Sequence, residues 1–230
     1  LSETAVPLPA SGLDPACVRS AVDERLATFL DAKARLAAAQ SFPPEVTDVL
    51  RDLVLGGGKR IRPVLCVAGW RAAEGCGDED PVLRVAASLE MFHTFALMRD
   101  DVMDRSATRR GQPSAHEAIA ARHAGRLDAA RLGACAAVLL GDLALAWSDE
   151  LLHTAGLSAD RFAAATVVLD GMRTELMYGQ YLAALHRPTE HRPGRGAAHR
   201  PIQEREVHRG ASFCSSGRCW PERTRASARR

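Results

Sequence analysis

Three aspartates and three arginines fall within eleven positions, as Asp100-Asp101-Val102-Met103-Asp104 followed by Arg105, and then Arg109-Arg110-Gly111. Hard divalent cations such as Mg²⁺ bind through one or two carboxylates together with substrate phosphate oxygens. Arginine adds planar forked donors that match phosphate oxygens. The group could therefore hold a divalent ion and a polyanion side by side. If the run is helical, Asp100 and Asp104 lie one turn apart on one face and can grip an ion jointly. An exposed acidic helix end is the ordinary alternative, so the rest of the chain has to decide.

Two upstream features bear on that choice. Gly56-Gly57-Gly58-Lys59-Arg60-Ile61-Arg62-Pro63 puts glycines and cations at a candidate helix start. It is not the nucleotide P-loop, because Arg60 stands where Ser or Thr is needed. Flexible glycines beside Lys59 and Arg62 still make an anion site, as against a helix C-cap followed by a solvated basic turn. His93 lies seven residues before Asp100, two helical turns along the same face. It is either a satisfied core histidine or a diphosphate contact. Phe95 and Ala96 precede Asp100 by five and four residues. They are either ordinary core or the lining of an apolar cavity whose bulk limits how long a chain can fit.

The elements that must position these residues read as helices. The chain has 230 residues, 47% hydrophobic, enough for one domain with a sizeable core. Asp14-Pro15 caps a helix to about residue 39, and further helices are predicted over 43–56, 60–74, 80–103, 127–154 and 159–185. In the fourth, Val82, Val85, Ala86, Leu89, Phe92, Ala96 and Met103 recur at helical spacing. Gly111-Gln112-Pro113 is a break, and no alternating strand is found. The fold class is all-α, a helical bundle. Residues 1–13 read as a leader and 14–186 as the bundle.

Residues 187–230 differ in kind. They hold 11 arginines, no lysine and 4 acids, a net +7 against −5 for residues 1–186. So few large apolar residues do not offset ordering entropy, and this tail is predicted to be disordered or poorly packed. It lacks the aromatic interleaving of a nucleic-acid arm, so no nucleic-acid partner is expected. The six cysteines make no CxxC pair and read as reduced thiols. No uncharged stretch reaches a membrane span and no signal-peptide pattern opens the chain, so a cytoplasmic protein without a transmembrane segment is expected.

Taken in order, these motifs resemble the trans-isoprenyl diphosphate synthase (polyprenyl synthetase) family. The resemblance rests on Gly57 to Pro63, His93, Asp100 to Asp104, and Arg109 to Pro113 with His116. Gly141-Asp142 and Gly179-Gln180-Tyr181-Leu182 add to it. It covers residues 14–186 and is closest to bacterial geranylgeranyl diphosphate synthases. It implies the isoprenoid synthase bundle, commonly a homodimer, and head-to-tail transfer from an allylic diphosphate to isopentenyl diphosphate. By that resemblance Asp100 and Asp104 ligate Mg²⁺, Asp101 assists, and Arg109 pairs with the allylic diphosphate. Lys59, Arg62, His93 and Arg110 would hold isopentenyl diphosphate, and Gln180 would face the allylic site. Phe95 beside Ala96 would set a C20 product, with C15 the nearest rival.

The sequence departs from the family pattern in three places. Arg99 stands where His usually precedes the aspartate pair, and Ala183 where Asp commonly follows Gln-Tyr-Leu. No lysine follows Lys59, and no second aspartate-rich motif follows Asp104. The tail resembles an out-of-frame translation of a GC-rich gene. A bundle incomplete at its C-terminal end, with little or no prenyltransferase activity, is therefore expected. A non-catalytic partner subunit and a class I terpene cyclase are the alternatives.

Overall fold

Asp14 opens the first helix by accepting a hydrogen bond from the Ala16 N–H at 2.8 Å, with Pro15 in the first turn. The computed structural model describes residues 13–73, 75 and 77–185. The leader apart from Leu13, the tail, and Glu74, Cys76, Cys214 and Cys219 lie outside the described residues. Seven helices occur among those described: α1 Pro15–Ala39, α2 Glu45–Leu55, α3 Ile61–Ala72, α4 Asp80–Asp104, α5 Ala115–Arg122, α6 Ala129–His153 and α7 Ala159–Leu185. The all-α class holds.

Periodicity selects the buried faces. Val18, Ala21, Val22, Leu26 and Leu30 form the inner stripe of α1, and Val49, Leu50 and Val54 that of α2. α4 is different, because nearly every side chain from Val82 to Phe95 is buried. It is the central helix and packs against every other one. Met103, predicted to face the core, is 40% exposed, since α4 has by then left the bundle's interior.

α6 is long and apolar enough by length and composition to cross a membrane. Its Ala137, Leu140, Ala144 and Leu151 are buried where it packs on α4 and α5, while 28% of its apolar window as a whole is buried. Gly133 sets the closest approach there. A Cβ on it would lie 2.3 Å from the His116 carbonyl oxygen in α5. Gly133→Ala must push α5 and α6 apart, with an expected loss of about 1–3 kcal/mol. Urea denaturation measures it, and an unchanged midpoint would contradict the close approach.

Several local expectations need correction. The break at Gly111 is a small antiparallel hairpin, β1 Thr108–Arg109 and β2 Gln112–Pro113, where no strand was expected. Arg110 and Gly111 both have positive φ, 54° and 79°, which matches the twist of a two-residue hairpin loop. α5 was not foreseen, and α6 begins at Ala129 rather than 127, where Leu127 is fully exposed. Arg60 is not the first residue of α3 but a left-handed residue before it, at φ 47°.

Candidate functional site

The last turn of α4 and the hairpin after it build an acidic wall. Arg105, at φ 51°, ends the helix, and the Ser106 N–H donates to the Asp101 carbonyl at 2.9 Å. The chain then reverses through the hairpin and returns Arg109 to α4. Its Nε donates to Asp101 Oδ1 and Oδ2 at 2.9 and 3.2 Å, and an Nη2–H reaches Asp100 Oδ2 at 3.1 Å and also Asp101. Asp101 is only 2% exposed, Asp100 is half-buried and Asp104 lies at the surface. Burial works against the Arg109 charge, but Asp101 and then Asp100 more than offset it and raise its pKa. From α7, Gln180 Nε2 donates to Asp100 Oδ1 at 3.4 Å.

A separate cationic cavity of about 400 Å³ is lined by Gly58, Lys59, Arg60, Arg62, His93 and Arg110, together with Ile61 and Glu90. The glycine loop makes it possible. Gly57 takes φ 90°, and a Cβ on Gly58 would lie 2.8 Å from Arg110 Nη1. With no side chain there, Arg110 lies against the loop and donates to the Gly57 carbonyl. Arg19 Nε in turn donates to the Lys59 carbonyl at 3.1 Å. The four residues expected to hold isopentenyl diphosphate thus share one cavity, whereas Arg109 and Gln180 gather on the aspartates.

His93 shows the electrostatic character of that cavity. Burial, then the charges of Arg62, Arg110, Arg109 and Arg60, push its pKa from 6.5 down to about 3. The imidazole is therefore neutral across the physiological range and can donate from one nitrogen only. The unfolded chain alone takes up this proton, so stability falls as pH drops from 6.5 towards about 3. In NMR titrations the His93 ring signal is expected to show no step near pH 6.5 in the free protein. Pyrophosphate, by offsetting the arginines, should move its titration upward, while burial keeps it below 6.5. A normal step without ligand would contradict the cationic surroundings.

Below the aspartates, Phe95 is fully buried against Phe92, ring centroids 5.7 Å apart, and Ala96 packs at the core's edge. Arg99 sits over the Phe95 ring at 5.7 Å and pairs with Asp142 of α6. A Cβ on the neighbouring Gly141 would come within 3.8 Å of Phe95 and 3.7 Å of Arg99 Nε, ordinary contact distances, so α4 and α6 leave room for a methyl group here. Arg173 of α7 pairs with Asp149 and lies over Phe92.

Sequence reading missed the partnership of Arg60 with Glu90. A signal existed, because Glu90 is the only charged side chain between Arg84 and Arg99. It also missed that Asp101 is the anchor of Arg109. Among the described residues no three His, Cys, Asp or Glu side chains form a shared metal ligand set. Mg²⁺ does not require one, since one or two carboxylates plus phosphate oxygens suffice. Half-buried Asp100 and exposed Asp104, both oxygen donors and one helical turn apart, fit that demand, with Asp100 shared with Arg109 and the buried Asp101 held by Arg109 through both its oxygens.

Comparison with known proteins identifies the family and the fold. The polyprenyl synthetase family model matches residues 43–194. A chloroplastic geranylgeranyl pyrophosphate synthase of Catharanthus roseus is 36% identical over 52% of this chain and 30% of its own length. A geranylgeranyl diphosphate synthase of Methanosarcina mazei is 33% identical over 61% of this chain and 39% of its own. Among solved structures, a geranylgeranyl pyrophosphate synthase from Corynebacterium glutamicum, complexed with isoprenyl diphosphate and magnesium, superposes with TM-score 0.72. It is 34% identical over 88% of this chain and 61% of its own. The chain thus spans well under half the length of these two curated relatives.

Proposed function

The chain belongs to the trans-isoprenyl diphosphate synthase (polyprenyl synthetase) family, and from that premise we propose that its site serves head-to-tail prenyl transfer. The proposed substrates are an allylic prenyl diphosphate and isopentenyl diphosphate, and the proposed product is geranylgeranyl diphosphate. The observation that carries this reading is a cationic cavity beside a carboxylate cluster. Lys59, Arg62, His93 and Arg110 surround one cavity, and Asp100, Asp101, Arg109 and Gln180 make a second cluster beside it.

In such a reaction the allylic C–O bond breaks, a new C–C bond forms to isopentenyl diphosphate, and a proton and diphosphate leave. Negative charge grows on the leaving group, so fixed cations around it lower the barrier. Arg109, held by Asp101 and Asp100, would meet the allylic diphosphate in a set orientation. Lys59, Arg62, neutral His93 and Arg110 would hold the second diphosphate still, so that its double bond faces the reacting carbon. Mg²⁺, held through Asp100 and Asp104, would add Lewis-acid stabilisation of the departing diphosphate. Phe92 and Phe95 would keep water from the carbocation. A homodimer belongs to the same reading through the family resemblance alone.

Incubation with Mg²⁺, isopentenyl diphosphate and farnesyl diphosphate tests this. A longer prenyl diphosphate supports it. Cyclised hydrocarbon would favour a terpene cyclase, and diphosphate binding without turnover a non-catalytic partner subunit.

A further inference from the structure

The cationic cavity contains one anion. Glu90 lies on α4, one turn before His93, and is 3% exposed. An ionised carboxylate so placed is costly unless paired. It shares the cavity with Lys59 and Arg110 and so competes with any bound diphosphate for their charges. Arg60 answers both demands. Its Nη1 donates to Glu90 Oε1 at 2.7 Å, its Nε to Asp23 Oδ1 at 2.8 Å, and its Nη2 to the Val54 carbonyl at 2.6 Å. Arg60 is itself 3% exposed, so this guanidinium belongs to the bundle rather than to a ligand.

The backbone carries the same message. Arg60 holds φ 47° and ψ 39°, a left-handed conformation that costs free energy in a residue with a Cβ. Such a conformation persists only where its surroundings over-determine it. Three bonds, to α1, to α2 and to α4, do so here. The turn they fix lies between Lys59 and Arg62, both of which line the cavity.

We propose that Arg60 is a positioning residue that occupies Glu90, so that Lys59 and Arg110 stay available to a diphosphate. This rests on reading the cavity as a diphosphate site. Without Arg60, the buried carboxylate draws a neighbouring lysine or arginine onto itself, and the cavity loses a ligand-binding charge. Without the Glu90 charge, the cavity is left more positive. The two halves of one ion pair therefore have opposite effects on anion affinity. A pair that serves only to hold the fold together has effects of the same sign.

Calorimetric titration of the full chain with inorganic pyrophosphate, and separately with isopentenyl diphosphate, separates these cases. Arg60→Gln is expected to weaken binding roughly tenfold or more. Glu90→Gln is expected to bind at least as tightly as wild type. The double variant Arg60→Gln/Glu90→Gln should recover most of the affinity that the first substitution loses. Weaker binding by Glu90→Gln, or a double variant no better than Arg60→Gln, overturns the proposal. If Arg60→Gln lacks a cooperative melting transition, Glu90→Gln and the double variant still decide. If the wild-type chain binds neither anion, the diphosphate reading of the cavity falls and this inference with it. Wild-type binding that Glu90→Gln weakens sinks only the role of Arg60.

Discussion

Arg109→Met is expected to lower stability by about 3 kcal/mol and the rate of prenyl transfer by about 10²–10³-fold. The stability loss follows from where the remaining charge is left. Asp101 has almost no contact with water, and Arg109 is its bonded cation through both carboxylate oxygens. Removing the cation strands a buried carboxylate, which typically costs about 3–5 kcal/mol. The lower end applies because the Arg109 side chain is itself 27% exposed. The converse change is milder. In Asp101→Asn the amide carbonyl still accepts from Arg109, and the arginine can turn towards solvent, so about 1–2 kcal/mol is expected. Arg109→Lys should restore charge but not the fork that bridges Asp100 and Asp101. Urea midpoints in the order wild type, Asp101→Asn, Arg109→Met are the result to look for. Equal losses for the two substitutions would mean that Asp101 is not the buried member of the pair.

The same pair shows what a sequence can disclose. Asp100, Asp101 and Asp104 were legible as an acidic group, and Arg109 and Arg110 as its cations. Their division of labour was not. Sequence spacing puts Asp100 and Asp104 on one face, but only the hairpin geometry sends Arg109 back to Asp101 and Arg110 across to the Gly57 carbonyl. That hairpin has strands of two residues each, too short for any alternation of apolar side chains. Arg60 was hidden for a different reason. Positive φ is announced by glycine or asparagine, and an arginine in that region depends on distant partners in α1, α2 and α4. α5 could have been found. Ser114 with Glu117 three residues later is a helix-start pattern ahead of an alanine-rich run. The long helices were legible because burial of one face repeats over many turns. α7 was placed at residues 159–185, as found.

Phe95 and Ala96 give the second large expected effect, on the product rather than on the rate. Five residues of helix separate Phe95 from Asp100, about 7.5 Å of axial rise. A prenyl chain anchored by its diphosphate at the aspartates and running along α4 therefore meets the Phe95 ring early. The ring is fully buried between Phe92, Gly141 and the Arg99 guanidinium. Phe95→Ala removes it and opens space in line with the chain, so products longer than those of the wild type are expected. The stability cost of an emptied aromatic site is about 3–5 kcal/mol, less whatever the ligand refills. Ala96→Phe adds bulk one position nearer the aspartates and should shorten the product. Opposite shifts from adjacent residues separate a cavity wall from ordinary core. Loss of core packing alone lowers the melting temperature and total yield without moving the product distribution. Chromatography of dephosphorylated products, with thermal melting run alongside, reads both effects. If Phe95→Ala melts early yet gives an unchanged product distribution, its ring is core packing and the chain runs elsewhere.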